Sequence, residues 1–267
     1  MSSSRFALAA LAGLSAFGAG ACVGGSRAVA GGTEAGAKLS STPNTGLEVI
    51  GWMRRAHPSR ALRSLSFDIM TVEYRGARQV ERESRAYAAL PGRLRVDVLP
   101  TSTRAGYVRN RQRLSVFNRG RRVSTSRRVD LATLLAYDVF AQSIDTTIMW
   151  LDSAKIRYGL LRRDYWFGRP VWVVGAERGD HSSPQFWVDA DRWRVVRVIQ
   201  RDTRNRVADA RFLDYTEVLD VPVPTRIAIY VDGDLVQEQR MANIAANPAL
   251  PSRVFDLTRW RRVSTGD

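Results

Sequence analysis

The stretch from Tyr165 to Phe255 constrains the fold most, because it reads as one antiparallel hairpin after another. Tyr165-Trp166-Phe167-Gly168-Arg169-Pro170-Val171-Trp172-Val173-Val174-Gly175 is followed by Gln185-Phe186-Trp187-Val188-Asp189 and then by Arg194-Val195-Val196-Arg197-Val198. Aromatic and β-branched residues recur in short runs, broken by Gly, Asp and Pro. A meander of this kind buries one face and wets the other. No catalytic signature interrupts it. The pattern favours a sheet that encloses something over a sheet that carries chemistry.

The first half supplies the rest of the elements. Leu47, Ile50, Met53 and Ala56 fall at helical spacing, and His57-Pro58 ends that helix. Leu65, Phe67 and Ile69 share one strand face and Val72 and Tyr74 the other, which predicts a bulge near Met70. The cleanest alternation is Arg93 to Val98: Leu94, Val96 and Val98 point inward, and Arg93, Arg95 and Asp97 point to water. Gly106–Asn110 and Leu114–Phe117 are short strands. Asp130 caps an apolar helical segment, Leu131–Leu151, read as one long helix or two short ones. In the second half Ala210, Phe212, Ile227, Ile229 and Val231 are interior positions, and Asp232-Gly233 is a hairpin turn. Five of the seven tryptophans, Trp150, Trp166, Trp172, Trp187 and Trp193, belong to core or cavity wall.

The N-terminus indicates export. In residues 1–21 a single Arg5 precedes an apolar, small-residue run. The sole cysteine, Cys22, follows Ala19-Gly20-Ala21. That fits either ordinary signal cleavage or a lipobox whose cysteine is acylated, although a lipobox usually has Leu where Ala19 stands. Residues 22–45 are rich in Gly, Ala, Ser and Thr and read as a flexible tether. Residues 46–257 form the domain, and residues 258–267 a basic polar tail.

Basic residues number 41, all but Lys38 and Lys155 being arginine, and the net charge is +15. Arg109, Arg111 and Arg113 alternate as on one strand face, and Arg121 and Arg122 follow. The stripe reads either as a solvated surface or as a patch for anionic head groups. Export argues against nucleic acid as the partner. His181 with Asp189 and Asp191 would make only a weak metal site, because Asp in such a turn usually bonds its own backbone. Neither a Gly-x-Ser-x-Gly elbow, nor a phosphate loop, nor a helical His pair occurs. The expectation is a protein that is not an enzyme and holds no cofactor or metal.

The order of elements resembles the LolA/LolB lipoprotein-carrier family over about residues 46–257. The likeness is most specific at Tyr165–Gly175, at Phe186-Trp187-Val188-Asp189, and at Met241-Ala242-Asn243-Ile244, Leu250-Pro251 and Val254-Phe255. The resemblance implies an α+β fold: a single curved antiparallel half-barrel sheet with a helical lid, holding acyl chains between them. Leu94, Val96, Val98, Ile227 and Ile229 would line the wall, with Leu134, Leu135, Ile148 and Met149 beneath the lid. The family's lid-holding arginine is replaced by Leu90 in Leu90-Pro91-Gly92, and Leu94 stands where an aromatic would. This puts shuttling in doubt and implies a membrane-tethered monomer, lipidated at Cys22 and facing the periplasm from the outer membrane, that binds lipid or lipoprotein acyl chains. The alternatives are an envelope sensor of the RseB type and a ligand-free structural lipoprotein.

Overall fold

A computed structural model describes residues 42–58, 61–202, 204–261 and 263. The signal, Cys22 and nearly all of the tether lie outside the described residues.

Helix α1 (Gly46–Ala56) starts where the Thr45 side chain accepts the N–H of Glu48 at 3.2 Å. The strands are β1 (Ser64–Arg75), β2 (Arg78–Ala89), β3 (Arg93–Val98), β4 (Gly106–Asn110), β5 (Arg113–Asn118) and β6 (Arg121–Arg127), then β7 (Leu161–Trp166), β8 (Arg169–Val174), β9 (Gln185–Asp189), β10 (Val195–Arg201), β11 (Val207–Val218), β12 (Val221–Val231) and β13 (Asp234–Ala246). All thirteen join one antiparallel sheet in the order β6-β5-β4-β3-β2-β1-β13-β12-β11-β10-β9-β8-β7. Strands β6 and β7 are therefore its two edges. The segment between them must cross the whole sheet, and it does so along the concave face. The topology itself produces the lid.

That segment is helical. Residues 131–141 run through α2 (Leu131–Thr133), a π-helical stretch (Leu134–Asp138) and α3 (Val139–Ala141); α4 (Ile144–Ser153) restarts after a break at Gln142-Ser143. Residues 130–140 are all buried. A helix apolar on every side needs cover on every side. Here the sheet lies beneath, through β10 and β12, and α1 packs on α3 and α4. The lid helix is thus an inner layer, with helical neighbours as well as the sheet. Among the described residues no helix is long and apolar enough to cross a membrane.

Cross-strand partners share a face. Leu65, Ala88 and Leu94 are linked in this way, as are Phe67, Ala86, Val96 and Tyr107, and Ile69 pairs with Met241. All are buried on the concave side. Alternation along β1 runs on through Thr71 and Glu73, so the expected bulge near Met70 does not occur; the irregularity falls between Ser66 and Asp68 against β13. The inward face at that far end is polar. Thr71 lies opposite Gln239 and Glu73 opposite Gln237, and all four are buried.

Arg95 and Asp97 do point away from the concave face, but not into water. Residues 250–261 form a strap over the outside of β3–β5, where Ala89, Val108, Phe117, Val254 and Phe255 make a second core. Beneath the strap Arg95 is only 1% exposed. Its Nε and Nη2 donate to the Asp97 carboxylate at 2.6 and 3.0 Å, and its Nη1 to the Val254 carbonyl at 3.1 Å. Trp260 stacks 4.1 Å from the guanidinium and 5.2 Å from Phe117. Ordered packing therefore continues past residue 257, into the segment read as a basic tail.

Candidate functional site

Two adjoining spaces lie between the lid and strands β1–β4. The outer one, about 120 Å³, is lined by the turns at Pro91-Gly92 and Arg111-Gln112 and by Arg109, Asp130, Leu134 and Asp138, with Thr146 and Trp150 from α4. The inner one is an almost filled chamber of about 20 Å³ among Phe67, Ile69, Leu90, Leu94, Val96, Tyr107, Tyr137 and Met241. Thr133 and Asp138 border both. A mouth lined largely by polar residues thus adjoins an apolar chamber.

The lid is held at three places. At its start, Asp130 caps the helix by accepting the N–H groups of Ala132 and Thr133 at 3.1 and 3.4 Å, and Arg109 Nη1 pairs with the same carboxylate at 2.7 Å. In the middle, the Gly92 N–H donates to Asp138 Oδ1 at 2.8 Å, which ties the β2–β3 turn to the π-helical stretch. At its end, Arg54 of α1 donates through Nη1 to the carbonyls of Val139, at 2.5 Å, and Gln142. Arginines from α1 and β4 grip the two ends of the lid. Sequence reasoning missed Arg54 and assigned Arg109 to the head-group stripe, since neither lies in the turn that the resemblance pointed to.

Burial sets the electrostatics. It pushes the Asp138 carboxyl up to about 7, against the lowering effect of the Gly92 N–H and Arg109. Burial also raises the phenols of Tyr107 and Tyr137, keeping both neutral. The Tyr137 hydroxyl is buried with no hydrogen-bond partner, and Tyr137 is among the residues that line the inner chamber. An unmade hydrogen bond there costs about 1–3 kcal/mol. It is a donor available to a polar atom brought in with a ligand.

Leu94 and Val96 line the chamber, as expected; Val98 is half-buried and lines neither space. Leu134 lines the mouth. Leu135, Ile227 and Ile229 are packed in the core beside the chamber rather than on it. Ile148 is half-buried, and Met149, 50% exposed, faces outward. The break at Gln142-Ser143 resets the helical phase, so a stripe continued from Leu131 assigns Met149 to the wrong side. The arginine stripe also divides. Arg109 is buried on the concave face against Asp130, Arg111 sits in the β4–β5 turn, and Arg113 begins β5. They share no strand face, because the chain reverses between them. Arg111, Arg113, Arg121 and Arg122 are exposed. Asp180 in the His181 turn accepts the N–H groups of Ser182 and Ser183, and Asp189 those of Asp191 and Arg192. These carboxylates are engaged in turn geometry.

No protein-family model matches the chain, and no curated protein does. Among solved structures it is similar to an outer membrane lipoprotein-sorting protein domain from Vibrio parahaemolyticus, with 14% identity over 79% of this chain and 96% of that one and a TM-score of 0.54. It is similar to a DUF1329 family protein from Desulfovibrio piger, with 14% identity over 79% and 95% and a TM-score of 0.55. It is also similar to a LolA superfamily protein from Nitrosomonas europaea, with 15% identity over 79% and 97% and a TM-score of 0.50. None of the three is described as an enzyme. The likeness is one of architecture, and the chain has a LolA-like fold: a curved, open antiparallel sheet under a helical lid.

Proposed function

We propose that the protein is an exported, lipid-anchored acyl-chain binder, tethered through Cys22 and facing the periplasm from the outer membrane. It takes up a lipid or a lipoprotein acyl chain between the half-barrel and its lid. The observation that carries this reading is the polar-lined mouth adjoining an apolar chamber beneath a helix pinned by three polar contacts. Each methylene moved from water to such a chamber is worth about 0.8 kcal/mol, so an acyl chain is driven in once space exists. With the lid closed that space is about 20 Å³, so uptake requires the lid to move. Arg111 and Arg113 are the exposed cations beside the mouth that would meet an anionic head group; Arg121 and Arg122 begin β6 at the opposite end of the sheet. Arg109 is not among them, since it is committed to the lid.

A ligand-free scaffold is the competing reading, favoured by how nearly the chamber is filled. Titration with a fluorescent fatty acid separates the two. The wild type is expected to bind saturably. Leu94→Trp, which has no room in the closed chamber, is expected to lose about 1–3 kcal/mol of stability and most of its probe binding. A wild type that binds no probe, and that carries no lipid when purified natively, would leave the scaffold.

A further inference from the structure

Neighbouring antiparallel strands turn at alternate ends of a sheet, so the connections here sort onto two ends. The turns β2–β3, β4–β5, β7–β8, β9–β10 and β11–β12 fall together at one end. The mouth of the cavity is built from the first two, through Pro91-Gly92 and Arg111-Gln112, so it opens at that end.

The exposed apolar side chains gather there as well. Among the described residues the exposed large ones are Val123, Ile144, Met149, Tyr165, Phe167 and Leu219. Tyr165 and Phe167, 72% and 75% exposed, flank the β7–β8 turn. Leu219 is in the β11–β12 turn. Ile144 and Met149 are on α4, the helix whose Thr146 and Trp150 line the mouth. Val123, on the β6 edge, is the exception.

The aromatic tip is built to stay exposed. Phe167 and Gly168 have φ of 49° and 76°, the turn geometry that closes a two-residue hairpin and points the Phe167 ring outward. Behind it, Trp166 lies 4.7 Å from Phe167 and 5.2 Å from Trp187, with the Arg197 guanidinium 4.8 and 4.7 Å from the Trp166 and Trp187 rings. The Arg197 guanidinium is itself fixed by Asp209, with two bonds of 2.9 Å. The same end carries Arg111, Arg169 and Arg192 in its turns. Arg113 and Arg127, paired at the start of β5 and the end of β6, lie at this end too, and its turns also hold Asp191 and Asp220.

We propose that this end of the sheet docks on an anionic lipid bilayer, with Tyr165 and Phe167 inserted at the head-group level and the cavity mouth facing the membrane. Aromatic side chains on a fixed hairpin suit the interface, where one part is apolar and the other wet, and surrounding arginines attract anionic head groups. The placement of the mouth rests on the acyl-binding reading; the docking does not.

The test uses the full chain carrying Cys22→Ser, so that no covalent lipid contributes. It is sedimented with vesicles of equal parts phosphatidylglycerol and phosphatidylcholine. Tyr165→Ser with Phe167→Ser is expected to lower partitioning by about tenfold, with unchanged thermal unfolding and unchanged binding of the fluorescent fatty acid in vesicle-free buffer. Leu94→Trp is expected to show the reverse: vesicle binding kept, probe binding lost. Vesicle binding through the tip by a protein that takes no probe would support docking and remove the acyl-binding reading. Partitioning equal in the double variant and its parent, absence of vesicle binding in the parent, or a tip substitution that changes oligomeric state instead, would each overturn docking.

Discussion

Single residues show how far burial overrides the character of a side chain. Asp138 is a carboxylate inside an apolar cover, with an ordinary value of 3.8 pushed up to about 7 by desolvation. The folded protein therefore keeps a proton that the unfolded chain has released across that interval. Its contribution to stability is full below the ordinary value and is lost as pH rises towards 7. Asp138→Asn keeps an acceptor for the Gly92 N–H and removes the ionisation. The variant is expected to be more stable than the wild type by about 2–4 kcal/mol at pH 8 and nearly equal to it at pH 4, as measured by thermal unfolding at both values. The position of Asp138 was not legible in the sequence. It stands on the stripe itself, seven residues after Leu131 and four after Leu134, and nothing local says that the β2–β3 turn will close over it through the Gly92 N–H. Leu94 and Val96 were legible, because a period of two survives whatever covers the other face.

At the scale of elements, the strap over β3–β5 explains a charged pair that alternation assigned to water. Period two says which way Arg95 points, and nothing local says that residues 250–261 will lie on it. Arg95→Ala would strand the buried Asp97 carboxylate and free Val254 and Trp260. The expected cost is about 3–5 kcal/mol in chemical unfolding. Replacing both members together, with Arg95→Met and Asp97→Leu, is expected to recover most of it, since a buried ion pair exchanged for apolar groups of similar size is often neutral. Recovery failing in the double variant would mean that the bond to Val254, rather than the pair, holds the strap. The hairpins of the second half were legible in order and turn chemistry, Asp232-Gly233 among them. The lid was legible as helix but not in phase, because the Gln142-Ser143 break carries no Pro or Gly to announce it.

For the whole molecule, an open sheet must protect two edges from pairing with other chains. Strand β6 is exposed along its entire length, and its arginines are the protection it has. Replacing Arg121, Arg122 and Arg127 with Ser is expected to raise light scattering on warming well before the unfolding midpoint; a chain that stays clear would show that the strap or the twist of the sheet guards the edge instead. The centre of the sheet has a different consequence. Strand β1 is paired with β13, Leu65 with Ala246, so the first strand lies alone on one flank until the last arrives. Hairpins on either side can close early over short loops, but joining the halves waits on a contact across most of the chain, which slows folding. A ribosome or a translocation pore that has not yet released residue 246 therefore holds a polypeptide with no finished core, still loose enough to be threaded.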